Sequence, residues 1–171
     1  MHTVSEITYG RPWDGRMAND TSPELDATDR QIIDELTNDG RVSIRTLADR
    51  THISRANAYA RVERLMSRGV IRGFAARIAH DRAGLTTSAF VALSIRQDAW
   101  RGLSDQLAKL AFVDHFGLLG GDIDVLVLVR APDNHALREV VLERLNALPG
   151  VQSTKTWLIF DESDGPGLYR A

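Results

Sequence analysis

The chain has 171 residues, of which 43% are hydrophobic and 26% charged, and a net charge of −2 at pH 7, as in an ordinary soluble protein of one large domain or two small ones. It contains no cysteine, which excludes disulfides and thiolate metal sites. No apolar run reaches the roughly 18 residues of a membrane span, and the N-terminus lacks the apolar core of a signal peptide, so we expect a cytoplasmic protein that does not enter a membrane.

The N-terminal stretch, residues 1–23, is polar and is interrupted by two glycines and two prolines. We expect a flexible arm there and a flexible tail at residues 163–171. An arm that touches DNA or a partner subunit is the alternative interpretation. Met17 is an alternative first residue, which would leave residues 1–16 outside the native protein.

The next segment has the caps and spacing of three short helices. Asp26, Ser43 and Ser54 have side-chain oxygens that accept hydrogen bonds from the free N–H groups of a first helical turn. Gly69 is placed to end the third helix. Each helix carries an apolar stripe: Ile32, Ile33 and Leu36 in the first, Ile44, Leu47 and Ala48 in the second, and Ala58, Val62 and Leu65 in the third. We therefore expect a three-helix unit that packs on these stripes.

Positive charge is concentrated around the second and third of these helices. Residues 41–82 contain ten arginines and three acidic residues, a net charge of +7, although the whole chain is mildly acidic. Arginine offers a planar fork of donors that suits phosphate and guanine. Two short helices with a narrow inner stripe and a basic outer face are typical of a helix-turn-helix. Arginines also occur at helical spacing on ordinary solvated helices, but the segregation of charge favours DNA binding.

The segment after these helices predicts a boundary between two domains. Residues 70–78 are apolar and interrupted by a glycine, which predicts a strand. The following sequence AHDRAG, residues 79–84, is interpreted as a linker. The first domain is then residues 24–78, a helix-turn-helix unit with a linker strand.

From Leu85 the periodicity changes, and residues 85–162 predict a second domain. Strands are expected at 85–96, 113–120, 123–131 and 151–160, and helices at 100–112 and 134–148, the latter with Leu137, Val140 or Val141, and Leu145 facing inward. The middle strands are joined at Gly120 and Gly121 as a hairpin. The order β-α-β-β-α-β predicts a ferredoxin-like fold, with an antiparallel sheet and both helices on one face, so the whole chain is α+β.

The strand at residues 125–129 is apolar at every position, so both of its faces require burial. Helices cover only one face of such a sheet. We expect a second copy of the chain to cover the other, giving a homodimer. A dimer also suits a helix-turn-helix, because two recognition helices read two half-sites.

Residues 24–160 resemble the Lrp/AsnC (feast/famine) family of bacterial and archaeal transcriptional regulators. The resemblance rests on LDATDRQIIDEL, LADRTHIS, SRANAYARVERLMSRGVIRGFAA, the GGDID turn and LPGVQSTKTWLIF, of which RVERLMSRGVIRG is the most specific part. It implies a winged-helix-like reader joined by a strand linker to a ferredoxin-like effector domain. It also implies dimers that assemble further, often into octamers, and an amino acid or related small molecule that modulates assembly and DNA binding.

Carried over residue by residue, the resemblance places the DNA contacts around the start of the third helix. They fall on Ser54, Arg55, Ala56, Asn57 and Arg61, with Arg45 and Arg64 as phosphate partners. The side-chain types allow Asn57 to form a bidentate pair with adenine and Arg55 to address guanine.

The effector loop of the family, Gly-x-x-Asp between the middle strands, matches Gly121, Asp122 and Asp124. Glycine lets backbone amides approach a ligand carboxylate, and an aspartate can pair an α-ammonium group. Thr154 and Thr156 match the Thr-x-Thr of the family on the last strand. The alternative is an ordinary hairpin turn, with solvated aspartates and with threonines that serve as strand formers.

The chain also departs from the family pattern. His52 stands at the glycine usual in the helix-turn-helix bend, and Ala58 at a small β-branched position. Gly120 replaces a common hydroxyl residue and Ile123 a common aromatic one. We expect a slightly altered bend, an unchanged fold and a ligand whose identity the pattern leaves open.

Two other functions use the same features. One is an enzyme of this architecture, resembling the sirohaem decarboxylases that use His and Arg around a tetrapyrrole carboxylate; the other is an amino-acid-sensing module that acts on a protein partner. The five histidines, His2, His52, His80, His115 and His135, are scattered, and no P-loop, nucleophile elbow or Rossmann glycine pattern is present. We therefore predict no enzymatic activity, no metal and no cofactor other than the effector. The expected protein is a nucleoid-associated, sequence-specific regulator whose target operon and sign of regulation the sequence does not specify.

Overall fold

The structure, a computed structural model, describes residues 24–96 and 98–163, apart from the side chain of Arg101. It divides into two compact units, one ending at Arg77 and one running from Ile78 to Glu162. The expected N-terminal arm and residues 164–171 of the expected tail lie outside the described residues. The two units together have the mixed α+β character that the sequence predicts.

Three helices form the first unit: α1 (Ala27–Asn38), α2 (Ile44–Arg50) and α3 (Arg55–Ser67). The predicted caps close their first turns. Asp26, Ser43 and Ser54 each accept a hydrogen bond from the backbone N–H three residues further on, at 2.7, 3.1 and 3.2 Å. The predicted stripes form the core, in which Ile32 and Leu47 are fully buried.

The predicted glycine ends α3. Gly69 has a φ of +71°, a left-handed conformation in which glycine has no steric penalty. The Leu65 carbonyl then accepts hydrogen bonds from the N–H groups of Val70 and Ile71, at 2.9 and 3.1 Å. These bonds turn the chain back, so that Val70 and Ile71 pack on the helical core.

The bend between α2 and α3 accommodates a histidine in place of glycine. His52 has a φ of +55°, in the left-handed region that costs an L-residue about 1 kcal/mol. Its neighbours hold it there, since Thr51 Oγ1 donates to the Leu47 carbonyl at 2.7 Å and Ile53 N donates to the Ala48 carbonyl at 3.1 Å. The departure from the family pattern is absorbed as backbone strain at one exposed residue.

The strand predicted for residues 70–78 is wrong. None of these residues lies in a helix or a strand. A strand requires a ladder partner, and no described segment of the chain pairs with this one. Phe74 and Ile78 are 52% and 53% exposed, so these apolar side chains lie on the surface and are not part of a core.

The second unit opens with a turn and continues as the predicted ferredoxin-like fold. The turn is the segment expected as a linker, and in it Leu85 N donates to the His80 carbonyl at 2.8 Å. The elements are β1 (Thr87–Ile95), α4 (Trp100–Leu107), β2 (Val113–Leu118), β3 (Val125–Ala131), α5 (Asn134–Glu139), a π-helix (Val140–Leu145) and β4 (Val151–Ile159). The four strands form one antiparallel sheet in the order β2-β3-β1-β4.

The core of this unit lies between the helices and one face of the sheet. Val91 and Leu93 of β1 and Val127 of β3 are fully buried, as the alternation of the first strand predicts. Leu103 of α4 and Leu137 of α5 belong to the same cluster. Both helices therefore cover one face, and neither helix covers the opposite face.

Both helices of this unit differ from their predicted extents. The helix expected at residues 100–112 ends at Leu107, and the helix expected at 134–148 changes from α to π at Val140. At the end of the π-helix, Asn146 N donates to the Val141 carbonyl, five residues back, at 3.3 Å. This wider turn accommodates both Val140 and Val141 in the core, at 1% and 7% exposed, where the sequence left the choice between them open.

The face of the sheet turned away from the helices is apolar and open. Strand pairing places Trp157, Phe90 and Leu128 side by side across β4, β1 and β3. Trp157 and Phe90 are 40% and 38% exposed, and Leu126 is half-buried. Lys155 Nζ lies 5.2 Å from the centre of the Trp157 ring, a cation–π contact on the same face. We call the surface formed by these five residues the outer face.

Candidate DNA interface and effector loop

The N-terminal end of α3 presents an exposed surface formed by Ser54, Arg55, Ala56 and Asn57, four of the predicted DNA contacts. Arg45, in the first turn of α2, is exposed as well. Within the described residues the guanidinium groups of Arg45 and Arg55 make no ion pair and no hydrogen bond. Both cations are therefore available to an external anion such as a phosphate.

Two other arginines of α3 are held against α1. Arg61 Nη1 lies 2.7 Å from Asp26 Oδ2 and 2.7 Å from Asp29 Oδ1. Arg64 Nη2 donates to both carboxylate oxygens of Asp29, at 2.8 and 2.9 Å. The Asp29 side chain is only 4% exposed, and a buried carboxylate is costly unless it is paired. Arg61 and Arg64, both predicted to contact DNA, are thus engaged within the domain; we call this set of four residues the α1–α3 clamp.

The clamp shifts the protonation equilibria of Asp26 and Arg61 toward their charged forms. The hydrogen bond from Arg61, and after it the bond from the backbone N–H of Asp29, lowers the pKa of Asp26 below its ordinary value of 3.8. The hydrogen bonds to Asp26 and then to Asp29 raise the pKa of Arg61 further above its ordinary value. The carboxylate of Asp26 therefore caps α1 and pairs with α3 at the same time.

The clamp also reaches a predicted base-reading residue. Arg61 Nε donates to Asn57 Oδ1 at 3.1 Å, one helical turn away. The backbone N–H of Asn57 is bonded in turn to the Ser54 cap. A continuous set of hydrogen bonds thus joins buried Asp29, through Arg61, to the exposed start of α3. The only sequence signal for this set of hydrogen bonds is the spacing of Asp26 and Asp29, three residues apart at the start of α1. The spacing does not indicate that their partners are Arg61 and Arg64.

In the loop between β2 and β3, one of the predicted effector residues serves the fold. Asp124 Oδ2 accepts a hydrogen bond from Ile95 N at 2.8 Å, and Asp124 N donates to the Leu93 carbonyl at 3.2 Å. Asp124 therefore fastens the loop to the end of β1. Gly121 and Asp122 are exposed, and Gly121 has a φ of +143°, a conformation that L side chains rarely adopt. These two are the predicted contacts that the loop presents outward.

Thr154 and Thr156 lie on β4, on the face of the sheet that carries the helices. They stand opposite Leu93 and Val91 of β1. Because Asp124 binds the Leu93 carbonyl, the register brings Thr154 to the same end of the sheet as the loop. Thr156 is one pleat further along and lines an apolar crevice of about 320 Å³ beside α5 and the π-helix. The predicted effector residues therefore divide between the loop end and this crevice.

An arginine that no sequence pattern singles out anchors the end of β4. Arg130, with its side chain 11% exposed, donates from Nε to Asp114 Oδ2 at 2.8 Å and forms a bidentate pair with Glu162 at 2.8 and 3.1 Å. The Arg130 hydrogen bond lowers the pKa of Glu162 below its ordinary value of 4.5. The pair fastens the residues after β4 to β3 and, through Asp114, to β2.

Two further features bear on chemistry and location. Among the described residues, no three His, Cys, Asp or Glu side chains gather closely enough to hold a metal ion. No helix in the described ranges is long and apolar enough to cross a membrane.

Comparison with known proteins shows what the two units are similar to. Residues 25–72 match the family described as winged helix-turn-helix DNA-binding, and residues 88–165 match the Lrp/AsnC ligand binding domain. The leucine-responsive regulatory protein of Escherichia coli is 32% identical over 142 residues, which cover 81% of this chain and 87% of that protein. An uncharacterized HTH-type transcriptional regulator of Pyrococcus abyssi is 35% identical over 144 residues, which cover 84% of this chain and 91% of that protein. The chain belongs to the Lrp/AsnC family.

Solved structures agree with membership of the Lrp/AsnC family. A transcriptional regulator from Neisseria meningitidis, solved as a complex with L-Met, superposes with a TM-score of 0.76 at 28% identity, covering 83% of this chain and 94% of that one. Escherichia coli AsnC superposes with a TM-score of 0.76 at 21% identity, covering 86% and 99%, and supports the fold alone. The resemblance, the fold class and the function predicted from sequence are confirmed: this Lrp/AsnC protein is a DNA-binding transcriptional regulator with a ligand-binding domain.

Replacing Arg61 by methionine should lower the free energy of unfolding by about 2 kcal/mol, because buried Asp29 loses one of its two cations. The effect has a pH dependence of known sign. The folded-state pKa of Asp26 lies below 3.8, so its contribution to stability is present above that value and is lost as the pH falls through the lowered pKa. Urea unfolding followed by circular dichroism at neutral pH and at about pH 3 measures both effects.

Arg55→Met is the matched control, because it removes the same charge from the same helix without removing a contact within the described residues. Its free energy of unfolding should stay within about 0.5 kcal/mol of the wild-type value. The clamp would be contradicted if the two variants lost equal amounts of unfolding free energy. It would also be contradicted if the loss in Arg61→Met were as large at about pH 3 as at neutral pH.

Proposed function

We propose that this regulator reads DNA with the exposed N-terminal end of α3, and that the clamped arginines hold that helix in place. The supporting observation is the division of the arginines around α3. Arg55, at its start, has no partner within the described residues, whereas Arg61 and Arg64 are bound to carboxylates of α1. A helix-turn-helix inserts this end of its second helix into the major groove, where an arginine fork reaches guanine or phosphate.

The remaining contacts follow from the same placement. Arg45 stands in the first turn of α2, the helix that crosses the DNA backbone, and is suited to a phosphate. Ser54 and Asn57 offer a hydroxyl and an amide at the groove, and Ala56 offers a methyl group for apolar contact with thymine. Sequence preference is assigned to Arg55 and Asn57, and Arg45 contributes affinity that is independent of sequence.

The variant Arg55→Ala, Asn57→Ala should lose about tenfold or more of its preference for specific over random DNA, since each good base contact is worth about 1–3 kcal/mol. Non-specific binding should persist. The affinity of the wild type for DNA should fall steeply with salt. In a variant, the slope of the logarithm of affinity against the logarithm of salt concentration should become less steep by about one for each phosphate contact removed. The measurement is a titration with duplex DNA from upstream of the gene, beside random duplex, at several salt concentrations.

Arg144→Ala is the control for this titration. It removes the same charge from the second unit, where Arg144 is paired with Glu139 at 2.6 Å, and should leave the sequence preference intact. If the wild type binds no duplex even at low salt, or if the control loses as much preference as the double variant, the assignment of α3 as the reading helix fails.

We also propose that two copies associate through the outer face. Phe90, Leu128 and Trp157 form an apolar row that the described part of the chain leaves uncovered. An isologous contact buries the same row on both copies, which is the simplest closed arrangement for such a surface. It also supplies the two recognition helices that a pair of half-sites requires. Growth to a larger assembly such as an octamer then uses a surface other than the outer face.

Trp157→Asp should convert the dimer to a monomer, because it introduces a charge into the apolar row that the two copies bury. Sedimentation velocity over a range of protein concentrations measures the change. Leu158→Asp is the matched control: it is the adjacent residue of β4, it is similarly exposed at 48%, and it points to the opposite face. If Leu158→Asp dissociates the dimer and Trp157→Asp does not, the interface lies on the helix side.

For the effector we propose an amino acid bound by the loop end of the second unit. In this proposal the backbone N–H groups around Gly121 bind the ligand carboxylate, Asp122 pairs with its ammonium group, and Thr154 donates a hydroxyl. The crevice lined by Thr156 suits an apolar side chain, whereas Asp124 positions the loop. The regulator from Neisseria meningitidis that was solved with L-Met supports an effector of this class. An effector acts only if it binds two assembly states with different affinities.

Calorimetry with the common amino acids should detect binding by at least one of them. Asp122→Ala should weaken that binding by about tenfold or more, because it removes a charge-assisted hydrogen bond. Asp105→Ala, another exposed aspartate of the second unit, should not change it. If no amino acid, keto acid or nucleotide produces a binding heat, the effector proposal fails while the proposed DNA interface stands.

A further inference from the structure

We propose that Arg61 sets the base preference of this regulator by fixing the direction in which Asn57 presents its carboxamide. The inference rests on the proposed reading of DNA by the start of α3, and it goes further by naming the base that Asn57 addresses. Arg61 is a positioning residue here. It binds Asn57 and α1, and its effect on DNA passes through Asn57.

The identity of the bonded atoms determines the orientation of the amide. Arg61 Nε lies 3.1 Å from Asn57 Oδ1. A guanidinium group carries donors only, so the Asn57 atom that faces it has to be the carbonyl oxygen and not the amino nitrogen. This settles the ambiguity between oxygen and nitrogen that usually attaches to asparagine. The amino group, with its two donors, therefore points away from Arg61, and within the described residues it has no hydrogen-bond partner.

Arg61 can hold this orientation because it is itself held by the fold. Its Nη1 donates to Asp26 at 2.7 and 2.9 Å and to Asp29 at 2.7 Å, and its side chain is only 18% exposed. Asp26 caps α1, and Asp29 is buried in it, so both anchors of Arg61 are fixed to the start of α1. Rotation of the Asn57 carboxamide would bring its amino group against Nε, donor against donor, and would lose the hydrogen bond.

The fixed orientation changes the base that Asn57 suits. A bidentate pair with adenine requires the carbonyl oxygen to accept from N6 while the amino group donates to N7. In this structure Arg61 takes one of the two acceptor positions of that oxygen, whereas both donors of the amino group are free within the described residues. Guanine presents two acceptors, N7 and O6, on its major-groove edge. The geometry therefore favours guanine, and it replaces the adenine pair that the sequence suggested for Asn57.

A merely structural role for Arg61 makes a different prediction. If Arg61 only stabilised the helical unit, its replacement would weaken binding to all sequences alike and lower the melting temperature. A positioning role changes the preference at one base pair, and at no other. The base-resolved preference is therefore the measurement that separates the two roles.

The experiment is selection from a randomised duplex library by the full-length wild type and by Asn57→Ala, Arg61→Lys and Arg64→Lys. The position whose preference disappears in Asn57→Ala is the base pair that Asn57 reads. There the wild type should prefer guanine over adenine by about tenfold. Arg61→Lys retains a cation for Asp29 but lacks Nε, so its preference for guanine should fall to about twofold or less, or reverse to adenine. Arg64→Lys also alters a partner of Asp29 but does not touch Asn57, and it should keep the guanine preference whatever its overall affinity.

A second measurement needs no variant of the clamp. Replacing the selected guanine by 7-deazaguanine removes the N7 acceptor. Wild-type affinity should fall by about fivefold or more, and the affinity of Asn57→Ala should be unchanged.

The outcomes are separable. A wild-type preference for adenine at the Asn57 position, an Arg61→Lys preference identical to that of the wild type, or a wild type indifferent to 7-deazaguanine overturns the inference and leaves the proposed DNA interface standing. An Asn57→Ala preference identical to that of the wild type also overturns the inference, because Asn57 then reads no base. If the wild type selects no sequence at all, the proposed function itself fails, and this inference fails with it.

Discussion

A carboxylate that is almost wholly buried constrains the position of α3, the helix that we propose reads DNA. Burial of the Asp29 carboxylate is costly unless cations pair with it, and α3 supplies two of them, Arg61 and Arg64. Because both arginines reach from α3 to a carboxylate of α1, the pairing fixes the rotation of α3 against α1. The rotation in turn decides which side chains of α3 face outward, Arg55 and Asn57 among them. The exposed surface at the start of α3 therefore depends on the ion pairs between this helix and α1.

Features that depend on neighbours in sequence were predictable, and those that depend on a distant partner were not. The caps of the first three helices follow from single residues such as Ser54, and the sheet order follows from alternating segments joined in a familiar sequence of elements. The strand expected at residues 70–78 failed because a strand is defined by its ladder partner, which a periodic pattern does not contain. The change from α to π at Val140 likewise follows from packing that accommodates two adjacent valines in one core.

In the candidate sites, too, the role of a single side chain depends on partners that are distant in sequence. Asp122 and Asp124 are the same residue type two positions apart, yet Asp124 is bonded to the backbone of β1 and Asp122 is exposed. Arg55 and Arg61 are equally plausible DNA contacts on a helical projection, and only the position of Asp29 separates them. Sequence patterns therefore supplied two sets of candidate site residues. They did not tell which members of each set bind an outside partner and which position the others.

The charge segregation that first indicated DNA binding has a second meaning in the structure. Of the ten arginines in residues 41–82, Arg61 and Arg64 pair with Asp29, and Arg50 pairs with Glu35 at 2.7 Å, so part of the excess positive charge neutralises the acidic start of the same unit. The charge available to phosphates is smaller than the count suggests. Non-specific affinity scales with the number of phosphates neutralised, whereas base preference depends on donors and acceptors that are correctly aimed. A domain that uses arginines to hold α3 in place has fewer cations for phosphates, which lowers its non-specific affinity. The same arginines keep the base-contacting side chains aimed, which favours base preference. Arg61 combines both roles, because it pairs with the buried carboxylate of Asp29 and also binds and orients Asn57.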